Sequence, residues 1–330
     1  MRLKSPVGAI VCLFLLSCSA LAQPTKLIVG YSAVSADQAP AWIAKESGIF
    51  KKNGLDIQLI YFTGGTTAVQ ALISGEVPIS QVAGPSVVNS GLAGSDIAIF
   101  AGGATSLDYW LMSRPEIKRP EQLKGGSVAI SAFGTASDFV ARYALEKIGL
   151  TPGKDVALVQ VGGVPDRMGA LLAGRIEAAV LVPPSMFIAQ MKGMNVLADV
   201  AKLGLPFQYT GVATSRRFIK EQPDTVRRYA RSQVEAVHII HTDKETSLKI
   251  MTKYFGGRIE RDILEKSWEL LTAGMLTKKQ YPGLEGLKFI LTSLAEKNPK
   301  ARAAKPEDFA DMRFIKELDQ SGFIDNLYKR

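Results

Sequence analysis

Two stretches of the chain repeat each other at a fixed offset of 99 residues. Ser32-Ala33 returns as Ser131-Ala132, Ala71-Leu72…Gly75 as Ala170-Leu171…Gly174, Pro85-Ser86 as Pro184-Ser185, and Gly94 as Gly193. Between the first two anchors, Gly54-Leu55 returns as Gly149-Leu150, four residues early, and Thr151-Pro152-Gly153-Lys154 restores the phase. An offset that slips and recovers belongs to two related structures with different loop lengths. Each copy reads strand, helix, strand, helix, strand, helix, so the chain carries two α/β lobes of one design. Two such lobes enclose a cleft, and clefts between domains are preferred places for small molecules.

The N-terminal residues read as an export signal. Arg2 and Lys4 are a positive n-region, Val7 to Leu16 an apolar run, and Ala20-Leu21-Ala22 a small-x-small cleavage site. The run is shorter than the roughly 20 apolar residues of a membrane-spanning helix. The expected mature chain starts near Gln23 in the periplasm. A second reading takes Leu15-Leu16-Ser17-Cys18 as a lipoprotein signal with Cys18 lipid-anchored. Cys12 and Cys18 are the only cysteines, so cleavage after Ala22 leaves no thiol, and with it no disulfide, cysteine nucleophile or cysteine-bound metal. Some 300 residues suffice to bury a core without such staples.

The formal charge of +9 falls to +7 without Arg2 and Lys4. Basic residues gather in Arg216, Arg217, Lys220, Arg227, Arg228 and Arg231 and in Lys297 to Lys305. Aromatic residues do not interleave with them, so solvated helix faces are expected and nucleic acid is not.

Along the chain, Lys26–Ser32, Ile57–Phe62, Ile79–Ala83 and Ile97–Ala101 read as strands of the first lobe. Helices are expected over Pro40–Phe50, from Gly64-Gly65-Thr66-Thr67 through Ser74, and after Gly84-Pro85-Ser86. Gly75 stands where a C-cap glycine ends a helix, and Pro85 where a first turn tolerates proline. The second lobe repeats the plan with Ser127–Ser131, Asp138–Ile148, Val156–Val161, Asp166–Ala173, Ala178–Val182 and Pro184–Lys192. Such alternation indicates mostly parallel sheets flanked by helices. The last third has helical periodicity over Pro223–His241, Lys244–Phe255, Ile259–Leu271 and Gly283–Glu296, and is expected to pack onto a lobe already built.

Pro40-Ala41-Trp42-Ile43-Ala44…Gly48-Ile49-Phe50…Gly54-Leu55-Asp56-Ile57 resembles the N-terminal signature of a family of solute-binding proteins. These serve ABC importers of nitrate, sulfonates, taurine and thiamine precursors, with NMT1/THI5-like relatives. Ala71-Leu72-Ile73-Ser74-Gly75, Leu123-Lys124-Gly125-Gly126-Ser127-Val128, Gly134-Thr135 and Ala170 to Gly174 fit the same family. The family often has Asp three residues after the helix-ending glycine, where this chain has Pro78 and Glu177. The resemblance implies the two-lobed periplasmic binding protein fold of type II, with a ligand cleft between the lobes. Residues 1–22 are then the signal, 23–106 and 213–330 a discontinuous lobe I, and 107–212 lobe II. The crossings are expected near Thr105–Asp108 and Tyr209–Val212. The implied partners are a small-molecule ligand and a membrane ABC permease, and the protein is expected to be a monomer.

In open α/β sheets, ligands collect beyond the carboxyl ends of the strands, where helix N-termini favour anionic groups. This rule selects Ser32 to Asp37, Gly64 to Thr67 and Gly84 to Ser86 in one lobe. In the other it selects Phe133 to Ser137, Gly163 to Asp166 and Pro183 to Ser185. The candidate ligand contacts are Ser32, Asp37, Trp42, Gly65, Thr66, Gly84, Pro85, Ser86, Trp110, Phe133, Gly134, Thr135, Ser137, Pro184 and Ser185. Each loop also reads as an ordinary turn with N-cap residues, and Trp42, Tyr109, Trp110 and Phe133 also read as core. No Arg or Lys stands in the selected loops, and Arg167, just past one of them, is the nearest cation. A neutral or weakly anionic aromatic ligand is therefore a second reading of the site.

Catalytic patterns are sparse. His238 and His241 share one helix without a third ligand at zinc spacing, and both lie away from the cleft loops that a Ser-His-Asp triad would use. Gly153-Lys154 lacks the rest of a P-loop. The chain is expected to be no enzyme and to hold no cofactor and no metal. Two alternatives stand beside transport: a dehydratase or lyase on the same fold, and a ligand sensor for a membrane receptor.

Overall fold

A computed structural model describes residues 23–329. The expected export signal at 1–22, with Cys12 and Cys18, lies outside the described residues.

Among the described residues, ten strands form two five-stranded sheets. The first sheet contains β1 (Thr25–Tyr31), β2 (Leu55–Tyr61), β3 (Ile79–Ala83), β4 (Ile97–Gly102) and β10 (Thr210–Ser215). The second contains β5 (Trp110–Ser113), β6 (Ser127–Ile130), β7 (Ala157–Gln160), β8 (Ala178–Leu181) and β9 (Asn195–Asp199). Their spatial orders are β2-β1-β3-β10-β4 and β7-β6-β8-β5-β9. Strand for strand these are the same order, which is what the repeat of 99 residues demands. β3 and β8 lie 99 residues apart, as do the N-cap residues Gly64 and Gly163 of the helices before them.

Each sheet is mixed, with four of its five strands running the same way and one reversed. β1 runs parallel to β2 and β3, and β6 parallel to β7 and β8. β10 is antiparallel to β3 and β4, and β5 to β8 and β9. The odd strand in each sheet is the one that arrives from the other lobe. It enters next to the third strand from the opposite end, so its direction is reversed. β5, β9 and β10 were not singled out as strands from the sequence. β6, β7 and β8 are as short but lie inside the repeated strand-helix alternation, whereas β5 and β10 adjoin the crossings.

β3 and β8 are buried along their whole length. β8 reads as the continuous apolar run of a strand covered on both faces, whereas β3 carries Ser80 and Gln81, and Gln81 accepts the Ala41 N–H and donates to the Gln38 carbonyl. The C-terminal helices cover the first sheet. Tyr229 of the helix Pro223–Thr242 packs on Phe50 and Phe100 with ring centroids 5.1 and 5.9 Å apart, and Asp311 donates its N–H to the carbonyl of Ile99 in β4.

The chain passes between the sheets twice, from β4 to β5 and from β9 to β10, and the two crossings hold each other. The N–H of Phe207 donates to Thr105, and those of Tyr209 and Thr210 to Ala104. Gln208 is fully buried; its Nε2 donates to the Thr210 carbonyl at 2.6 Å and its Oε1 accepts from Gly283 N–H. A side chain at Gly286 would collide with the backbone of Gln208, so the helix Leu284–Leu294 lies directly on the second crossing. Phe289 of that helix meets Phe139 and Phe207, linking the crossing to the second lobe.

Candidate functional site

Between the two sheets lies a cavity of about 30 Å³, room for about two waters. The lobes are closed upon it. Asn89 Nδ2 donates to the Gly134 carbonyl at 2.9 Å, and Ala36 N–H to the Pro183 carbonyl at 3.3 Å. A solute therefore enters only when the lobes part.

Four helix N-termini converge on this cavity. Gly64 and Gly65 open the helix Gly65–Ser74, Ala83 precedes Gly84–Leu92, Ala136 begins Ala136–Lys147, and Gly163 and Val164 open Val164–Leu172. The first three carry no side-chain cap on their first turns. In the fourth, Asp166 accepts the Gly163 N–H at 2.9 Å. Uncapped N–H groups and the positive ends of four helix dipoles suit a negative group. Gly65 is required by space, since a Cβ there would collide with Ser86 Oγ.

Arg167 supplies the cation. It is 2% exposed and lines the cavity. Its Nε donates to the Val180 carbonyl at 3.1 Å and its Nη1 to the Gly162 carbonyl at 2.8 Å. These bonds fix the guanidinium plane, and no carboxylate pairs with it among the described residues. Burial lowers its pKa from the usual arginine value, while a guanidinium stays charged in proteins. A buried cation without a counter-ion is a receptor for one.

Carboxyl and phenol groups complete the lining. Asp37 is 1% exposed and accepts from Ser35 Oγ at 2.5 Å and Gln38 Nε2 at 2.7 Å. Burial raises its pKa against these hydrogen bonds. Tyr109 and Tyr209, one from each crossing, stand with ring centroids 5.2 Å apart, and burial pushes both phenols upward. Ser86 Oγ is buried without a hydrogen-bond partner.

The candidates chosen from the sequence divide into two groups. Ser32, Asp37, Gly65, Ser86 and Ser137 line the cavity. Thr66 stands on the following helix outside it, and Gly84 is pressed against the Gln208 carbonyl. Trp42 is core, stacked on Tyr254 with centroids 4.7 Å apart. Trp110 belongs to β5 and meets Phe187 at 6.5 Å. Phe133 is 50% exposed, near the Arg142 guanidinium. Pro85, Gly134 and Thr135 face a separate groove between the lobes, of about 580 Å³, whose walls include Phe139, Arg142 and Lys297. Pro184, after a cis peptide bond, and Ser185 do not reach the cavity.

Tyr209, Thr210, Gln38 and Ser131 line the cavity but were not among the candidates. Ser131 was legible as the repeat partner of Ser32. Tyr209 and Thr210 sit on a crossing, which a rule about strand-to-helix loops does not inspect. Both histidines lie on Pro223–Thr242, where His241 Nε2 bonds the Leu276 carbonyl. No group of three His, Cys, Asp or Glu placed to hold a metal occurs among the described residues.

The model of the NMT1-like family matches residues 20–253. YtlA of Bacillus subtilis (strain 168) is 24% identical over 302 residues, 84% of this chain and 90% of YtlA. The taurine-binding periplasmic protein of Escherichia coli (strain K12) is 26% identical over 230 residues, 65% of this chain and 66% of that protein. In fold, the chain is similar to the periplasmic nitrate-binding protein NrtA from Synechocystis PCC 6803. The TM-score is 0.76 at 15% identity, over 91% of this chain and 89% of that one. The family match covers well over half of the sequence, and this chain is a solute-binding protein that belongs to the NMT1-like family.

Proposed function

We propose that this protein captures a small acidic solute in the periplasm, between its two lobes, and delivers it to the permease of an ABC importer. The observation that carries this reading is the unpaired, buried Arg167 at the meeting point of four helix N-termini. Both of its hydrogen bonds go to neutral backbone carbonyls, and a negative group entering the cleft would pair it. The lining hydroxyls of Ser32, Ser86, Ser131 and Ser137 supply further donors. Taurine and nitrate, named for two similar proteins, both present such a negative group. The export signal in the sequence and the periplasmic location in those names support the compartment.

Capture follows from closure. The open cleft is hydrated, and the solute replaces water at Arg167 and at the N–H groups. Rotation about the paired crossings then brings Asn89 to Gly134 and Ala36 to Pro183, the hinge mode of such proteins. The solute stabilises the closed form by the difference in its affinity for the two forms.

Calorimetric titration with nitrate, taurine, ethanesulfonate and benzoate tests the reading. At least one acid should bind with 1:1 stoichiometry, and Arg167→Met should weaken it at least about thirtyfold, or about 2 kcal/mol. Equal affinity in wild type and variant would remove Arg167 from the site.

A further inference from the structure

We propose that Tyr61 is a solute-binding residue, a phenol that lobe I extends across the cleft to donate its hydroxyl to the acidic group held by Arg167. This assignment rests on the capture reading above and adds a contact that only the closed form can make.

Tyr61 ends β2, where the chain turns toward the helix Gly65–Ser74. Its ring leans on Tyr31 with centroids 5.5 Å apart, and Tyr31 in turn meets Trp42 edge to face at 5.7 Å. The core of lobe I thus aims the phenol. Its hydroxyl lies against Gly163 of lobe II, so closely that a Cβ at Gly163 would collide with it. Gly163 has a φ of −61°, which any residue adopts. Glycine is demanded there by the space the phenol takes and not by the backbone.

Gly163 is also part of the cavity wall, with Val164 beside it. The carbonyl of Gly162, one residue earlier, accepts Arg167 Nη1 at 2.8 Å. The Tyr61 hydroxyl therefore meets lobe II at the turn that holds the guanidinium. It is buried and has no hydrogen-bond partner. Burial, and then the Asp166 carboxylate, raise its pKa, so at neutral pH it keeps the proton it would donate.

The repeat shows that the fold does not need this reach. The position 99 residues on is Gln160, which ends β7 as Tyr61 ends β2. Gln160 stays within its own lobe, where its Oε1 accepts the Phe133 N–H at 2.8 Å. One of the two related positions ties down its own loop. The other crosses the cleft and is left unsatisfied.

A buried donor without an acceptor is costly, so the stranded hydroxyl works against closure of an empty cleft. An acidic group at Arg167 supplies the acceptor, and hydrogen bonds to charged groups are the stronger kind. The phenol thereby favours closure around a solute over empty closure.

Tyr61→Phe deletes the hydroxyl and keeps the ring. Titration with nitrate, taurine, ethanesulfonate and benzoate should show the tightest of them weakened at least about tenfold. Small-angle scattering of the unliganded variant should give a radius of gyration no larger than that of wild type. Gly163→Ala displaces the same phenol from the other lobe and should weaken the same acid by a similar factor. In the double variant the two losses should not add, because both remove one contact. Wild-type affinity in Tyr61→Phe, or full additivity in the double variant, would overturn the assignment and leave capture at Arg167 standing. A larger unliganded radius would overturn it as well, since the hydroxyl would then hold the lobes shut without a solute. If none of the four acids binds the wild type, the capture reading falls and this assignment with it.

Discussion

Asn89 and Gly134 join the two lobes through one hydrogen bond, Nδ2 of the first to the carbonyl of the second, at 2.9 Å. Asn89 lies on Gly84–Leu92, whose N-terminus faces the cavity, and Gly134 on the loop that leads into Ala136–Lys147. The bond exists only when the cleft is shut. A typical hydrogen bond contributes about 1 kcal/mol net, so Asn89→Ala should shift the closed-to-open ratio about fivefold toward open. Small-angle scattering of the unliganded variant should give a larger radius of gyration than wild type. An unchanged radius would mean that this contact does not hold the lobes.

Trp42 belongs to the core and not to the cleft, which separates stability from binding. It is fully buried and touches Tyr31, Tyr254 and Phe255. Trp42→Ala should destabilise the fold by about 3–5 kcal/mol, while solute affinity of the folded fraction stays within twofold. Urea denaturation and titration of the same variant measure both. Lost affinity without lost stability would place the indole in the site after all.

Ser86 and Thr135 predict opposite behaviour from similar hydroxyls. Ser86 Oγ has no partner in the closed cavity, whereas Thr135 Oγ1 donates to the Ala132 carbonyl at 2.7 Å and sits 3.0 Å from both Ser131 Oγ and Ser137 Oγ. Thr135→Val should therefore cost about 1–3 kcal/mol of stability by stranding buried polar groups. Ser86→Ala should leave stability within about 0.5 kcal/mol and weaken solute binding. Thermal melts and titrations of the two variants should show this crossed pattern.

Asp108 ties stability to pH. Burial, and then the neighbouring Asp37, hold its carboxyl well above the usual aspartate range. The folded chain keeps this proton to higher pH than the unfolded chain, whose value is about 3.9. The group's stabilisation is complete below about pH 4 and is lost as pH rises toward the raised value. Asp108→Asn cannot ionise and escapes that loss. The variant should melt above wild type at pH 7, with the gap closing by about pH 4. A gap that widens on acidification would contradict the assignment.

The lobe plan was legible because the repeat of 99 residues is itself a structural statement, and the strand orders match position for position. Long helices such as Pro223–Thr242 and Lys244–Tyr254 showed their period and their ends. The reversed strands β5 and β10 were not legible, because their direction is set by the crossings and not by local sequence. The same holds for the site. Ser32, Gly65 and Ser86 follow from the rule that ligands gather where strands end and helices begin. Tyr209 and Thr210 reach the cavity only because the crossings pair there. Trp42 and Trp110 drew attention as aromatics near the chosen loops, yet an aromatic side chain is as well used in a core, and both are buried in one. The family resemblance read from Pro40 to Ile57 is borne out by the match over residues 20–253.

A crystal structure of the protein with the tightest-binding acid from the titrations tests capture at the interlobe cavity most directly. The account predicts the solute between the lobes, its acidic group within hydrogen-bond distance of the Arg167 guanidinium and of the N–H groups at Gly65 or Val164. Solute seated instead in the groove beside Pro85, Phe139 and Lys297, with Arg167 untouched, would contradict it.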